Sequence, residues 1–240
     1  MNFRKAIDNP LDLTSDPRCV AIGDFNNDTW LDFVVTNSGT NNIVMFFGQS
    51  NGEFSNQKLL PTGIRSHPNS IVAGHFNNDQ QLDIAVANYG TNNIGIFWNM
   101  SNGTFVKQTL YMLDNASPYF IDVTDVNKDK QPDLIAVSRG TNSINILVGR
   151  GGTHFLRPTM FASGSISSIS AAIGDLNKDG LPDIIAINDD TNSVTISLSG
   201  NERFQSETRY SNILELNVLL KRTIDDGSND EKVRAHRTHT

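Results

Sequence analysis

A nine-residue segment rich in Asp and Asn recurs every fifty or fifty-one residues along the chain. We call its four copies loops 1 to 4, and they occupy residues 24–32, 75–83, 125–133 and 175–183. A repeat of fixed length in this range is the signature of a repeat architecture, in which each copy is one structural unit that packs against its neighbours. The period therefore constrains the fold more than any other feature of the sequence.

Each repeat contains four short segments with the composition of β-strands. One apolar run precedes the loop and a second follows it, and continuous apolar runs bounded by turn signals are typical of buried strands. A polar turn then leads to a third strand, which we place from Ile43, Ile94, Ile144 and Val194. After a further turn, a more polar fourth strand is predicted to open at Phe54, Phe105, Phe155 and Phe204.

Four strands in a fifty-residue unit, repeated along the chain, predict an all-β fold, a β-propeller built of four-stranded blades. The inner strands would be apolar on both faces because each blade packs between two others. The polar fourth strand would be the exposed outer edge. We assign residues 1–212 to the repeats, as about four complete blades of a closed or partial propeller.

The register of the repeat also makes predictions about the two ends of the chain. Phe3 lies as far before loop 1 as Phe54 lies before loop 2, so the chain would open on the last strand of a blade. A fifth loop near Asp225 is incomplete. Residues 213–220 are apolar enough for a closing strand, and residues 221–240 are predicted to be a disordered tail. We therefore expect a piece of a longer protein.

The Asp and Asn pattern within the loops indicates calcium, a hard cation that takes about six to eight oxygen ligands in flexible geometry. Side-chain oxygens at loop positions 1, 3, 5 and 9, with the main-chain carbonyl of position 7, would supply them. The sequence predicts about three Ca²⁺ sites, and Trp30, Gln131 and Leu181 would contribute only their carbonyls. The predicted ligands are Asp24, Asn26, Asp28, Trp30 and Asp32; Asp125, Asn127, Asp129, Gln131 and Asp133; and Asp175, Asn177, Asp179, Leu181 and Asp183.

Loop 2 departs from this pattern because His75 stands where the other loops have their first Asp. Its remaining candidates, Asn77, Asp79, Gln81 and Asp83, would form a weak or empty site. A transition-metal role for His75 is the alternative, although no second His or Cys accompanies it. None of the loops is an EF-hand, which needs a bidentate Glu at position 12 between two helices. Hydrogen-bonded Asx turns use the same residues without metal and remain the alternative for all four loops.

Composition and charge exclude several classes of function. The formal net charge of −7 argues against nucleic-acid binding, which demands clustered Lys and Arg. Cys19 is the only cysteine, so there is no disulfide framework and no cysteine-based zinc site. The first fifteen residues hold no apolar core of signal-peptide length, and no segment is apolar enough over the length of a membrane span.

The segment Ala21-Ile22-Gly23-Asp24-Phe25-Asn26-Asn27-Asp28 and its repeats resemble the FG-GAP/VCBS repeats of integrin α-subunit heads and of many secreted adhesion-type proteins. The resemblance covers about residues 15–205 and is closer to the VCBS-like variety, because the Gly-Ala-Pro element of the integrin form is missing. It implies a calcium-stabilised propeller that binds protein or carbohydrate ligands, usually outside the cell.

The leading functional hypothesis is thus a non-enzymatic calcium-binding module for extracellular protein binding or cell-surface adhesion. A lectin is the first alternative, for which Trp30, Trp98, Tyr89 and Tyr119 offer rings that stack on sugars. A non-catalytic accessory domain of a larger secreted protein is the second. An enzyme is disfavoured because the histidines do not recur with a nucleophile and no Gly-x-Ser-x-Gly, phosphate loop or zinc signature is present.

Four Asn-x-Ser/Thr sequons, at Asn27, Asn99, Asn102 and Asn115, agree with an extracellular glycoprotein, and Asn27 is the doubtful one because it lies inside loop 1. Extracellular calcium also suits loops of moderate affinity better than cytosolic calcium does. A cytoplasmic protein with empty loops is the alternative.

Overall fold

The computed structural model describes residues 14–141, 143–162, 168–199 and 206–210. Within these ranges the chain is all-β: eighteen strands and one 3₁₀ turn, η1 at Tyr89–Thr91, with no α-helix. No helix in this part of the chain is long and apolar enough to cross a membrane. The predicted strand at Phe3, the fourth-strand start at Phe204, the closing strand at 213–220 and the tail at 221–240 lie outside the described residues.

The strands form four consecutive antiparallel four-stranded sheets, which we call blades 1 to 4. Blade 1 contains β1 (Pro17–Gly23), β2 (Asp32–Asn37), β3 (Asn42–Gly48) and β4 (Phe54–Pro61). Blade 2 contains β5 (Pro68–Gly74), β6 (Asp83–Asn88), β7 (Asn93–Phe97) and β10 (Thr109–Met112), and β8 (Asn99–Ser101) pairs with β9 (Thr104–Phe105) as a small separate hairpin. Blade 3 contains β11 (Ser117–Thr124), β12 (Asp133–Arg139), β13 (Ser143–Leu147) and β14 (Thr159–Ala162). Blade 4 contains β15 (Ser168–Gly174), β16 (Asp183–Asn188), β17 (Ser193–Leu198) and β18 (Ser206–Tyr210).

The predicted β-propeller of four-stranded blades is therefore confirmed, and each third strand begins one residue before its predicted start. The fourth-strand prediction holds only in blade 1, where β4 opens at Phe54. It is wrong in blades 2 and 3. Phe105 ends the short hairpin and Phe155 makes one isolated bridge to Gly149, while the true outer strands β10 and β14 start four residues later, at Thr109 and Thr159. Phe155 is instead buried between blades 2 and 3, because its ring fills space in that core.

The hydrophobic core lies between the blades. Val34, Ile43 and Met45 of blade 1 pack against Ile84 and Val86 of blade 2. Comparable clusters join blade 2 to blade 3 and blade 3 to blade 4. Strands β6 and β12 are buried along almost their whole length, as expected for second strands that carry apolar side chains on both faces.

The first strands of successive blades lie side by side, β1 against β5, β5 against β11, and β11 against β15. Each loop joins the first strand of its blade to the second, and position 9 of the loop is the first residue of that second strand. All four loops therefore sit at the same end of the stacked blades.

Candidate functional site

The four loops share one backbone conformation. Positions 4 and 6 have positive φ in every copy, for example 59° at Asn27 and 75° at Thr29 in loop 1. Only loop 4 has glycine at position 6, namely Gly180. The other loops hold residues with a Cβ in a left-handed conformation, which costs roughly 1–2 kcal/mol per residue, so the loop shape must be enforced by other contacts.

Asn at position 3 and Asp at position 5 enforce the turn. The Asn26 Oδ1 atom accepts the Asp28 N–H at 3.0 Å, and the Asp28 Oδ1 atom accepts the Trp30 N–H at 2.8 Å. The same two bonds recur in loops 2, 3 and 4. These are Asx turns, in which short polar side chains replace main-chain hydrogen bonds.

Position 1 differs between loop 2 and the rest. In loops 1, 3 and 4 the Asp carboxylate accepts the N–H of position 6, as between Asp125 Oδ2 and Lys130 N at 2.7 Å. In loop 2, His75 Nδ1 lies 2.9 Å from the carbonyl oxygen of Gln81, a contact that needs the proton on Nδ1. The imidazole thus binds the position-7 carbonyl that calcium would need as a ligand.

The Asp at position 9 is a buried clasp between the loop and the end of the third strand. In loop 3, Asp133 Oδ2 accepts the Val126 N–H at 2.9 Å and Oδ1 accepts the Gly149 N–H at 2.7 Å. Asp32, Asp83 and Asp183 make the equivalent pair of bonds, and all four side chains are fully buried. The loop pattern predicted these residues as metal ligands and did not reveal the clasp, although the recurrence of this Asp in loop 2, where position 1 is not acidic, was the available signal.

Burial raises the pKa of every position-9 carboxyl, because removing the ionised form from water disfavours it. The pKa reaches about 6 for Asp83 and for Asp133. The two main-chain N–H groups oppose the shift, and the charges of the other loop carboxylates add to it. Each loop therefore holds a carboxylate whose charge is poorly compensated.

Neighbouring loops are joined by side-chain bonds that the sequence analysis also missed. Asn27 Nδ2 donates to Gln81 Oε1 at 2.7 Å, and Asn78 Nδ2 donates to Gln131 Oε1 at 2.7 Å. Each bond links position 4 of one loop to position 7 of the next. Loop 4 has Leu181 at position 7, so the pattern cannot extend to it, and the readable signal was an Asn followed by Gln 53 or 54 residues later.

The donor chemistry of loops 1, 3 and 4 fits calcium, since positions 1, 3, 5 and 9 all carry hard oxygen atoms. Their arrangement is less complete. The carboxylates accept N–H groups of their own loop, and within the described ranges no group of three or more His, Cys, Asp or Glu side chains is arranged to hold a metal ion. Binding by the whole predicted set requires these carboxylates to turn toward a common centre.

The four candidate sugar-stacking rings do not form one cluster, although two of them pack together. Trp98 is buried and donates from Nε1 to Thr109, whereas Trp30 is 45% exposed on loop 1. Tyr89 and Tyr119 pack edge to face with ring centres 6.0 Å apart, and the Arg139 guanidinium lies over the Tyr119 ring.

The four sequons divide into two pairs. The amide nitrogen of Asn27 is held by Gln81, and that of the buried Asn99 donates to the carbonyl of Phe25 at 2.8 Å. Asn102 and Asn115 are exposed in turns. The Asn99 amide is therefore inaccessible, and Asn27 is exposed but hydrogen-bonded, whereas Asn102 and Asn115 lie on the surface.

Several solved structures resemble this fold. A protein from Lactobacillus plantarum matches with a TM-score of 0.60 at 15% identity, over 78% of this chain and 54% of its own length. A 6-phosphogluconolactonase candidate from Bacteroides uniformis matches with a TM-score of 0.59 at 14% identity, over 80% and 53%. An Agrocybe aegerita lectin that recognises non-reducing terminal N-acetylglucosamine matches with a TM-score of 0.56 at 18% identity, over 78% and 50%. At these identities the likeness shows the fold alone, and the chain spans about half the length of these three proteins.

No curated protein gives a significant match to this chain. A family model for the FG-GAP-like repeat matches three overlapping stretches, residues 24–86, 75–136 and 125–186. Each stretch begins at the first residue of one loop and ends within the second strand of the following blade, so the match covers well over half of the chain. The chain belongs to the FG-GAP-like repeat family.

Proposed function

We propose that this chain is a calcium-stabilised, non-enzymatic propeller module that binds a protein or glycan ligand outside the cell. The observation that carries the calcium part is the contrast at position 1. Three loops have a carboxylate at position 1, which accepts the position-6 N–H, and the one loop without that carboxylate has an imidazole there that is bonded to the position-7 carbonyl.

Charge supports the same proposal. In loops 1 and 3 the carboxylates at positions 1 and 5 both raise the pKa of the buried position-9 carboxyl, so the three negative charges interact across each loop. A bound dication compensates such a cluster and would be among the largest local charges in the site. Its role here would be structural: holding the start of the second strand against the turn.

A thermal unfolding titration tests the calcium proposal. A ligand that binds only the folded state stabilises it by RT ln(1 + [L]/Kd), about 1.4 kcal/mol per site at ten times Kd. We expect a rise in Tm with calcium and a much smaller rise with magnesium. The combined variant Asp28→Ala, Asp129→Ala and Asp179→Ala should lose the rise, whereas Asp79→Ala in loop 2 is the matched control and should keep it. No shift at millimolar calcium would leave the loops as hydrogen-bonded turns.

The non-enzymatic part rests on what the histidines do. His67 and His75 each place Nδ1 against a main-chain carbonyl oxygen, of Ser38 and of Gln81. Neither contact activates a nucleophile, because a carbonyl oxygen carries no proton to abstract. Hydrolysis assays on lactone and ester substrates test this proposal, and turnover that His67→Ala abolishes would overturn it.

A glycan ligand is the second candidate, favoured by the likeness to the lectin and by the exposed ring of Trp30. Glycan-array binding of the intact chain is the direct test. Binding that disappears in Trp30→Ala, with Trp30→Phe retaining it, would assign the sugar to this ring, because stacking needs an aromatic face. Binding that is indifferent to Trp30 would place the sugar elsewhere, and no binding would favour a protein ligand.

Extracellular location has its own test. When the chain is directed through a secretory pathway, we expect N-glycans on Asn102 and Asn115 and none on Asn99, whose amide is buried. Glycosidase treatment followed by mass spectrometry would locate them. Absence of glycan at both exposed sequons would remove this support for the extracellular proposal.

A further inference from the structure

The two end faces of the blade array expose apolar side chains that the internal faces bury. On blade 1, Val20 and Ile22 of β1 are 55% and 64% exposed, and Phe33 and Val35 beside them are half-buried. These side chains point away from blade 2, because the alternate residues Cys19, Ala21 and Val34 pack into the core shared with blade 2. We call this surface the leading face.

Blade 4 presents the opposite surface, which we call the trailing face. Ile187 is 47% exposed, Ala172 is exposed, and Ile185 and Val194 are half-buried. Strand pairing places Ile187 opposite Val194 and Ile185 opposite Ala172, so the four side chains share one side of the sheet. The other side, with Ile173 and Ile184, packs against blade 3.

Equivalent positions inside the array show what these faces are built for. The counterparts of Val20 are Ile71 and Ile121, which are 5% and 3% exposed because a preceding blade covers them. The counterparts of Ile187 are Ala87 and Val137, both fully buried under a following blade. The leading and trailing faces are therefore the two unmatched halves of the same blade-to-blade interface.

We propose that a second copy of this chain covers both faces, the leading face of each copy packing on the trailing face of the other. Two such contacts related by a two-fold axis would close a ring of eight blades, which lies within the usual range of propeller size. The proposal continues an interface that the chain already forms three times between its own blades.

A second copy is preferred to direct closure of one chain, because among the described strands none of blade 1 makes an extended contact with one of blade 4. Each end face left in water would cost roughly 25 cal/mol for every Å² of apolar surface that pairing could bury. Heterologous faces can also form open filaments, so the closed pair makes a distinct prediction about mass.

Light scattering and sedimentation of the full chain over a wide concentration range test the proposal. We expect a discrete species of twice the 26.4 kDa chain mass. Ile22→Asp and Ile187→Asp should each weaken pairing roughly 100-fold or more, because a charge would be buried in both interfaces of the pair. Ile64→Asp is the matched control, since Ile64 is 89% exposed but lies on neither face. Circular dichroism checks that each variant folds, and Ile22→Ser and Ile187→Ser replace any that does not.

Mixing the two Asp variants gives the sharpest outcome. A mixed pair has one interface with both substitutions and one with none, so an equimolar mixture should recover dimer that neither variant forms alone. A monomer at all concentrations would overturn the proposal and assign the cover of these faces to other segments of the same polypeptide. An open series of oligomers, or pairing that survives both substitutions, would overturn it as well.

Discussion

Loops 2 and 3 are the most informative comparison in the molecule, because among the predicted ligand positions 1, 3, 5, 7 and 9 they differ only at position 1. Both have Asn at position 3, Asp at positions 5 and 9 and Gln at position 7, and both have positive φ at positions 4 and 6. Loop 3 has Asp125 and loop 2 has His75. Loop 2 nevertheless keeps the same turn, so a carboxylate at position 1 is not required for the shape of the loop. We propose that the carboxylate at position 1 of loop 3 serves cation binding instead.

The largest expected effect comes from removing the clasp. Asp133→Ala and Asp83→Ala each leave two N–H groups without their acceptor, at roughly 1–3 kcal/mol for each buried group, partly offset by the loss of a buried charge. We expect a loss of about 3 kcal/mol in each loop, measured by urea unfolding with a calcium chelator present. The loss should be the larger in loop 3, because its clasp bonds of 2.9 and 2.7 Å are shorter than the 3.2 and 2.8 Å bonds of loop 2.

That experiment tests whether the clasp stabilises both loops. If Asp133→Ala destabilises the chelated protein while Asp83→Ala does not, then the clasp is not a common structural element. The shared explanation of the loop shape would then be wrong.

The next effect tests position 1 by exchange. His75→Asp should add a calcium site to loop 2, and Asp125→His should remove one from loop 3. At ten times Kd each exchange would change the calcium-dependent part of the unfolding free energy by about 1.4 kcal/mol, in opposite directions. Calorimetric titration counts the sites directly, with Asp79→Ala added to His75→Asp as the control that should abolish the new one. An unchanged number of calcium sites in both variants would contradict the hypothesis that position 1 decides whether a loop binds calcium.

A pH titration separates the loops in another way. The folded-state pKa values of Asp83 and Asp133, about 6, lie above the ordinary aspartate pKa of 3.8, so the folded protein binds their protons more tightly than the unfolded chain does. These two groups therefore oppose folding above pH 6, and their contribution to stability grows as the pH falls from 6 toward 4. Asp79 and His75 are the charged neighbours of Asp83, and Asp129 and Asp125 are those of Asp133.

The chelated protein should consequently gain stability on mild acidification, by the order of 1–2 kcal/mol, from its clasp carboxyls. Asp83→Asn and Asp133→Asn should each remove part of the gain. In the Asp83→Asn variant the remaining titrating clasp carboxyl of this pair is Asp133, a predicted calcium ligand, so saturating calcium should reduce the stability gained on acidification. In the Asp133→Asn variant the remaining carboxyl is Asp83 of loop 2, so the gain should persist in calcium. Calcium that leaves both variants alike would contradict a site confined to loop 3 of this pair. Chemical unfolding at several pH values measures all four cases.

The sequence predicted the fold well and the site only in part, for physical reasons that these loops illustrate. The periodicity located the second strand of each blade. A fifty-residue repeat with apolar runs on either side of a fixed loop leaves few arrangements that bury all of these runs. It could not say that Asp133 points inward to two N–H groups, because a carboxylate that binds metal and one that caps main-chain donors have the same residue type and spacing. The Phe105 and Phe155 error has a similar origin. A recurring aromatic marks a position in the repeat, and only packing decides whether its backbone joins the outer strand.

The smallest expected effect asks whether the two loop backbones are equally constrained. Gln80 and Lys130 occupy position 6 with φ of 66° each, and Gly180 shows that glycine is compatible with this position. Gln80→Gly and Lys130→Gly should each stabilise the chain by about 0.5 kcal/mol, because relief of the left-handed strain exceeds the added freedom of the unfolded chain. The two gains should be equal if the loop shape is set by elements that both loops share. In loop 3 the Asp125 carboxylate also accepts the Lys130 N–H, whereas loop 2 has no carboxylate at position 1. A smaller gain at Gln80 would therefore mean that loop 2 can relax without its first carboxylate, and that position 1 helps to set the shape.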